Sequence, residues 1–383
     1  MSYIPYGKQY IDEKDIELVG KALRCQKITT GKFVDKFEQK VSKFLNCKFA
    51  ISCSSGTSAL YLALKSINLN KNDTIIMPNI NFISSFNISA HFNPKIFLAD
   101  VDQLTGQMTP KNVVECCKKF KIKKVKAIIT MYNGGYPENV RNFFLLKKKL
   151  QCYLIEDACH AFGAEYFYNN KKYKIGSCKH SDISTFSFHP LKTITTGEGG
   201  MVTCNSKQIQ KQIKTLRSHG IQRSKFHWDY NIIDSSLNFR LTDFQCALGI
   251  SQLSKINKFI YKRKKIFEYY NKKLNNNNNF NKINYDKLTK PSYHLYFLNL
   301  KNNSIKLKTN FIKFMLKNKI ITQFHYKSIN KFKVFKKYKK GKSITINSNK
   351  YFNNCISLPI YFGMNKNEQD YIISKINNFF EKN

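Results

Sequence analysis

A chain of 383 residues with 65 Lys and Arg against 24 Asp and Glu carries a formal charge of +41, yet 42% of it is hydrophobic. An apolar share of that size excludes disorder as the main state, and no run approaches the ~18 apolar residues of a membrane span. The lysines are spread along the whole chain beside the Asn run LNNNNNF at 274–280, which reads as a solvated basic surface rather than a face for nucleic acid.

The opening MSYIPYGKQY has no apolar core of a secretory leader, so a soluble, cytoplasmic protein with no membrane partner is expected. The eleven cysteines are an odd number without a CxxC pair, which predicts buried reduced thiols and no metal site. A basic surface of this kind speeds capture of an anionic, phosphorylated substrate.

From residue 45 to about 205, short apolar runs alternate with helical patterns. CKFAISCS is a predicted strand, and TSALYLALKSI has Leu60, Leu64 and Ile67 at helical spacing. DTIIMP and KIFLADV are further strands, NVVECCKKFKI a helix, and VKAIITM and CYLIED two more strands. Alternation of this kind predicts an α/β fold, a mostly parallel sheet covered on both faces. Ligands bind such sheets at the carboxyl ends of the strands. There the chain places SSGTS, PNINF, MYNGGYP and EDACHAFG.

Residues from 206 to about 265 read as helical, through SKQIQKQIKTL and LTDFQCALGISQLSKINKFIYKRKK. After a loop come a strand (YHLYFLNL), a helix (TNFIKFMLKNK), a strand (IITQFHY) and a last helix whose start carries Asn365 and Glu368 as a capping pair. The expected division is a large domain over residues 1–255, N-terminal segment included, and a small α+β C-terminal domain over 256–383.

Three features gain meaning only together. Asp157 ends the apolar strand CYLIED, where it is either a helix cap or the partner of a positive group. Ser55, Gly56, Thr57 and Ser58 precede a helix, which suits a plain N-cap or a phosphate cradle. Lys192 sits inside SFHPLKTITTGEGG, in a turn set by His189 and Pro190 and closed by glycines. A ligand with a phosphate, a ring nitrogen that wants a carboxylate and an aldehyde that wants an amine satisfies all three, and pyridoxal 5′-phosphate is that ligand. Lys192 then binds the aldehyde, Asp157 keeps the ring nitrogen protonated, and Gly56, Thr57 and Ser187 hold the phosphate. Phe82 is placed to stack on the ring, unless it is a core residue.

EDACHAFGAEY, FSFHPLKTITTGEGGMV and LNFRLTDFQCALGISQL, in this order and spacing, resemble the sugar aminotransferases of the DegT/DnrJ/EryC/StrS type. The likeness runs from about residue 3 to the end. It implies the fold type I transferase fold, with a mixed, mostly parallel sheet sandwiched by helices. It implies Lys192 and Asp157 in the roles above, His160 near the ring hydroxyl, and Asn238 reaching the phosphate of a neighbouring subunit in a homodimer with shared sites. TLRSHGI, YHLYFLNL, QFHYKS and YGKQYIDEKDIELVGKAL are most similar to the branch serving pseudaminic acid synthesis. That branch aminates C4 of a UDP-linked 2-acetamido-2,6-dideoxy-4-ketohexose with glutamate as donor. By this likeness Tyr6, Ile28, Thr29, Thr30, Gly31, Ser55, Phe324, His325, Tyr326 and Lys327 contact substrate.

Two departures stand near the substrate: Asn81 where the family usually has Thr, and MYNGGYPENV where it commonly reads like HxYGxPxDM. Three alternatives follow. Another 3- or 4-ketosugar aminotransferase of the family differs only in product. The family's dehydratases carry histidine in place of the lysine, against which Lys192 speaks. A basic nucleic-acid-binding protein would need a groove-reading motif, and none is found. GEGGMV fails the GxGxxG spacing of a dinucleotide site.

Overall fold

The computed structural model describes residues 3–226, 228–275 and 277–381. The strands used below are β1 (Phe49–Cys53), β2 (Thr74–Pro78), β3 (Lys95–Ala99), β4 (Ala127–Met131), β5 (Tyr153–Asp157), β6 (Ile183–Ser187), β7 (Gly200–Cys204), β8 (Tyr296–Asn299), β9 (Gly341–Ser343) and β10 (Cys355–Leu358). Among the described residues, one eight-stranded sheet runs in the order β1-β7-β6-β5-β4-β2-β3-β9. β7 lies antiparallel to both neighbours and the remaining pairs are parallel, so the sheet is mixed and mostly parallel.

Each strand is apolar at successive positions because both faces are covered. Ile75, Ile129, Ile155 and Val202 face one cluster with helices α3 (Gly56–Ser66), α4 (Ile83–His91) and α7 (Lys207–Leu216). Ile76, Ile128, Leu154 and Phe186 face the other way, against α2 (Lys32–Leu45), α5 (Pro110–Lys119), α6 (Val140–Leu150) and α8 (Asp243–Ser254). The two-residue alternation puts Ile155 and Asp157 on one face of β5 and Glu156 on the other.

α9 (Ile256–Leu274) carries Ile256 and Phe259 into the large-domain core and Ile266, Tyr270 and Leu274 into a separate one. That second core is built on β8 and β10, with α10 (Ile305–Lys317) and the last helix (Lys366–Glu381). The division at 255/256 is crossed in both directions: β9 is the sheet's edge strand, and Ile4 packs in the second core, bridged to Ile320.

Every strand expected between residues 45 and 205 forms. Helices α4 and α6 lie where the sequence pattern singles out none, since Ser84, Ser85, Asn87 and Ser89 are weak helix formers that tertiary packing overrides. IITQFHY is not a strand; β8 pairs with β10 instead, and Gln323 contributes one bridge to Ser357. His325 and Tyr326 enter the cleft described below. The capping pair forms, with Asn365 N–H on Glu368 at 2.8 Å and Glu368 N–H on Asn365 at 2.8 Å.

Asp243, fully buried at the start of α8, accepts from Gly31 N–H (2.8 Å) and Phe33 N–H (2.9 Å), capping α2 from across the chain. Asp243→Ala strands both donors, so the unfolding free energy in urea is expected to fall by roughly 2–4 kcal/mol, with Asp243→Asn losing less than half of that.

Candidate active site

The carboxyl ends of β4, β5 and β6 and the start of β7 meet at one edge of the sheet. Asp157 is the last residue of β5 and 3% exposed. One carboxylate oxygen accepts from Ser85 Oγ at 2.8 Å and the other from Cys159 N–H at 3.3 Å. Among the described residues it forms no ion pair, and it lines a cavity of about 350 Å³.

Lys192 lines the same cavity from the loop between β6 and β7. The loop is closed at its base by Phe188 N–H on Gly199 O (2.8 Å) and Thr196 N–H on Phe188 O (3.0 Å), and Lys192 N–H turns back onto His189 O (2.9 Å). Gly197, at φ +80°, makes the return bend. Burial lowers the pKa of the Lys192 ammonium, against the opposing pull of Cys159 and Asp157. A larger share of the amine is therefore free base at neutral pH than in a solvated lysine.

His160 follows three residues after Asp157. Its Nδ1 accepts from Gly134 N–H (3.3 Å) and its Nε2 stands 2.9 Å from Tyr326 Oη. The Gly134 amide can only donate, so Nδ1 is unprotonated and the ring proton sits on Nε2. His160 therefore donates to Tyr326, whose own hydroxyl proton is left for another acceptor. Burial, with Lys192 and His325 nearby, holds His160 well below the usual imidazole range and keeps it neutral. His325 is held by Ser357 Oγ at 2.8 Å and is pushed down to about 3 by burial and by Lys192.

The opposite wall is the start of α3. Ser55 Oγ accepts from Ser58 N–H (3.0 Å) as the N-cap. Gly56 and Thr57 are first-turn residues, whose N–H groups have no intrahelical acceptor. A Cβ on Gly56 would lie 2.8 Å from Ser187 Cβ, and one on Gly200 2.2 Å from Ser55 O. Both positions need glycine because α3 starts pressed against β6 and β7.

Tyr6, Ser55, Gly56, Thr57, Phe82 and Asp157 thus line one cavity with His160, Ser187, Lys192, His325 and Tyr326. The remaining expected residues lie outside its lining. Ile28–Gly31 packs on the start of α8, where Asp243 N–H meets Ile28 O (2.9 Å) and Thr29 bridges Thr242, and Thr30 takes φ 53°. Phe324 turns away to Phe352 and the Lys308 ammonium, and Lys327 lies over the Phe332 ring. Asn238 is exposed, bridged to Ser218, and accepts from Arg240 N–H (3.2 Å).

Sequence reasoning passed over Ser85, Cys159 and His294. Ser85 carries no signal beyond its distance from PNINF; His294 sits in YHLYFLNL, read only as a strand. Of the two departures, Asn81 accepts from Phe82 N–H (2.7 Å). In MYNGGYPENV, Gly134 and Gly135 take φ 71° and 88°, and a Cβ on Gly135 would lie 2.2 Å from Ser292 Oγ and 2.6 Å from His160 O. A loop of two such glycines fits beneath His160 where one with larger side chains would not.

These groups fit pyridoxal 5′-phosphate by their chemistry: a helix N-terminus and a hydroxyl for the phosphate, a buried carboxylate with both oxygens anchored, and a partly buried amine of lowered pKa. The chain matches the DegT/DnrJ/EryC1/StrS aminotransferase family over residues 9–377, and it belongs to that family. It is therefore a pyridoxal-phosphate-dependent sugar aminotransferase with the fold type I architecture. It is 34% identical to a UDP-4-amino-4,6-dideoxy-N-acetyl-beta-L-altrosamine transaminase of Campylobacter jejuni, over 99% of this chain and 98% of that protein. It is 31% identical to the GDP-perosamine synthase of Escherichia coli O157:H7, over 78% and 77%. Helicobacter pylori PseC, an aminotransferase involved in the biosynthesis of pseudoaminic acid, superposes with a TM-score of 0.90 at 27% identity, covering 100% of both chains.

Lys192→Ala is expected to lower turnover at least ~10³-fold and to abolish the pyridoxyl adduct that borohydride leaves on the wild-type chain; peptide mapping locates that adduct. Gly56→Ala pushes α3 off β6, and cofactor affinity, read by titrating apoenzyme, is expected to drop about tenfold or more.

Proposed function

We propose that this enzyme moves the amino group of glutamate to C4 of UDP-2-acetamido-2,6-dideoxy-β-L-arabino-hex-4-ulose, in pseudaminic acid and surface glycan biosynthesis. The observation that carries this reading is the 34% identity along essentially the whole of both chains with an altrosamine transaminase. The site agrees with it in kind. Tyr6, His294, His325 and Tyr326 wall the cavity with neutral hydrogen-bonding groups suited to sugar oxygens.

Bound pyridoxal 5′-phosphate supplies the aldehyde and the electron-withdrawing ring for amino transfer. The chain's share is positional and acid–base. The first turn of α3 and Ser187 hold the phosphate, and Asp157 holds a proton on the ring nitrogen. Lys192 Nζ, fixed by its closed loop, takes and returns the proton at the carbon that loses or gains the amino group. Tyr326, oriented by His160, offers its hydroxyl proton to an oxygen in the cavity.

A homodimer acting in the cytoplasm is part of this reading. Its support is the strand pair 221–223 and 230–232 with its flanks, which exposes Trp228 (67%), Tyr230 (57%), Ile233 (55%) and Leu237 (59%) beside Asn238. In a dimer closed over this patch, Asn238 and Ile28–Gly31, which lie outside the cavity of their own chain, complete the site of the second subunit.

A second reading, a GDP-linked ketosugar as acceptor, is favoured by the resemblance to GDP-perosamine synthases. Purified enzyme is to be incubated with glutamate and equal concentrations of UDP-, GDP- and dTDP-linked 4-ketosugars, and the products determined by NMR. Amination at C4 of the UDP sugar, at least ~100-fold more efficient than the others, is the expected result. Preference for a GDP or dTDP sugar, or amination at C3, overturns the substrate assignment.

A further inference from the structure

His294 is 6% exposed and lines the cavity, and its Nδ1 is buried with no hydrogen-bond partner among the described residues. The other three imidazoles of the wall are each engaged: His160 by Gly134 and Tyr326, His189 by Leu191 N–H, His325 by Ser357. A buried polar ring without a partner costs on the order of 1–3 kcal/mol, so its retention at a cavity wall asks for a ligand.

The ring is held firmly. His294 N–H donates to Gly134 O (2.9 Å), its carbonyl accepts from Arg263 (3.2 Å), and its imidazole packs 4.3 Å from that of His160. Orientation is thus fixed by the Gly134–Gly135 loop, the same loop that fixes the tautomer of His160. The partner left to it must come from the cavity.

We propose that His294 is a specificity-determining residue that hydrogen-bonds an uncharged oxygen of the sugar acceptor, a ring hydroxyl or the acetamido carbonyl, and not the carboxylates of the amino donor. Its surroundings decide between the two. Burial, with His160, Lys192, Arg263 and His325 nearby, disfavours a charged ring. A neutral imidazole gives a carboxylate no countercharge but serves a hydroxyl or amide oxygen well.

The inference rests on the sugar aminotransferase reading and not on which nucleotide the sugar carries. Its test uses whichever ketosugar the wild-type holoenzyme aminates. The two half-reactions are followed separately by cofactor absorbance in His294→Phe and His294→Gln, and affinity for the aminated sugar nucleotide is measured by calorimetry. For His294→Phe, KM for the ketosugar and Kd for the product are expected to rise about tenfold or more, the scale of one buried hydrogen bond. The glutamate half-reaction should change less than twofold, and His294→Gln should recover most of the sugar affinity. If His294→Phe does not fold, the comparison of His294→Gln with His294→Leu carries the same test. Equal losses in both half-reactions, or unchanged sugar affinity in the apolar variants, overturn the proposal. Failure of the UDP sugar with wild type overturns the substrate assignment alone.

Discussion

A buried carboxylate and a partly buried amine share one cavity without pairing, and the architecture around them serves that separation. Left to themselves in a low-dielectric cleft, two such charges attract strongly. Asp157 is instead tied by Ser85 and the Cys159 amide, and Lys192 by a loop closed through Phe188, Thr196 and Gly199. Each anchor is short-range and independent of the other. The pair therefore stays open for a ligand with matching groups at both ends.

The sheet makes this possible through direction. β5 and β6 are parallel neighbours, so their carboxyl ends bring Asp157 and Ser187 to one edge. β7, running the other way, returns its first residue to the same edge, where Gly200 admits the backbone of Ser55 and Gly56. The start of α3, Asp157 and the loop that carries Lys192 thus meet at one edge of the sheet. The C-terminal part contributes a further wall of the cavity. His294, His325 and Tyr326 reach the cleft from a separate core, and the Gly134–Gly135 loop couples them to His160.

Most of the chemistry was legible in the sequence because it is carried by short contiguous motifs. EDACHAFG, SSGTS and SFHPLKTITTGEGG each follow a strand whose apolar run is evident, and strand-end placement is a local property. Eleven residues of these three motifs, from Ser55 to Glu198, line the cavity. What stayed hidden was set by packing between distant segments. The likeness of QFHYKS pointed to Phe324, His325, Tyr326 and Lys327 alike, with no sign that only His325 and Tyr326 turn inward while Phe324 and Lys327 turn to Phe352 and Phe332. Its mixed aromatic and polar pattern fits a strand, and only the pairing of β8 with β10 excludes one.

The order of residues by itself determined the α/β class, the strands of the large sheet, the capping pair of the last helix and the candidate amine and acid, Lys192 and Asp157, that line one cavity. All follow from periodicities and turns that span a dozen residues or fewer. Only the tertiary structure decided that Ser85 anchors Asp157, that Gly134 sets the tautomer of His160, and that His294 stands buried with its Nδ1 unpaired. These contacts join residues 26 to 160 positions apart, and chain entropy leaves such distances unspecified until the core closes around them.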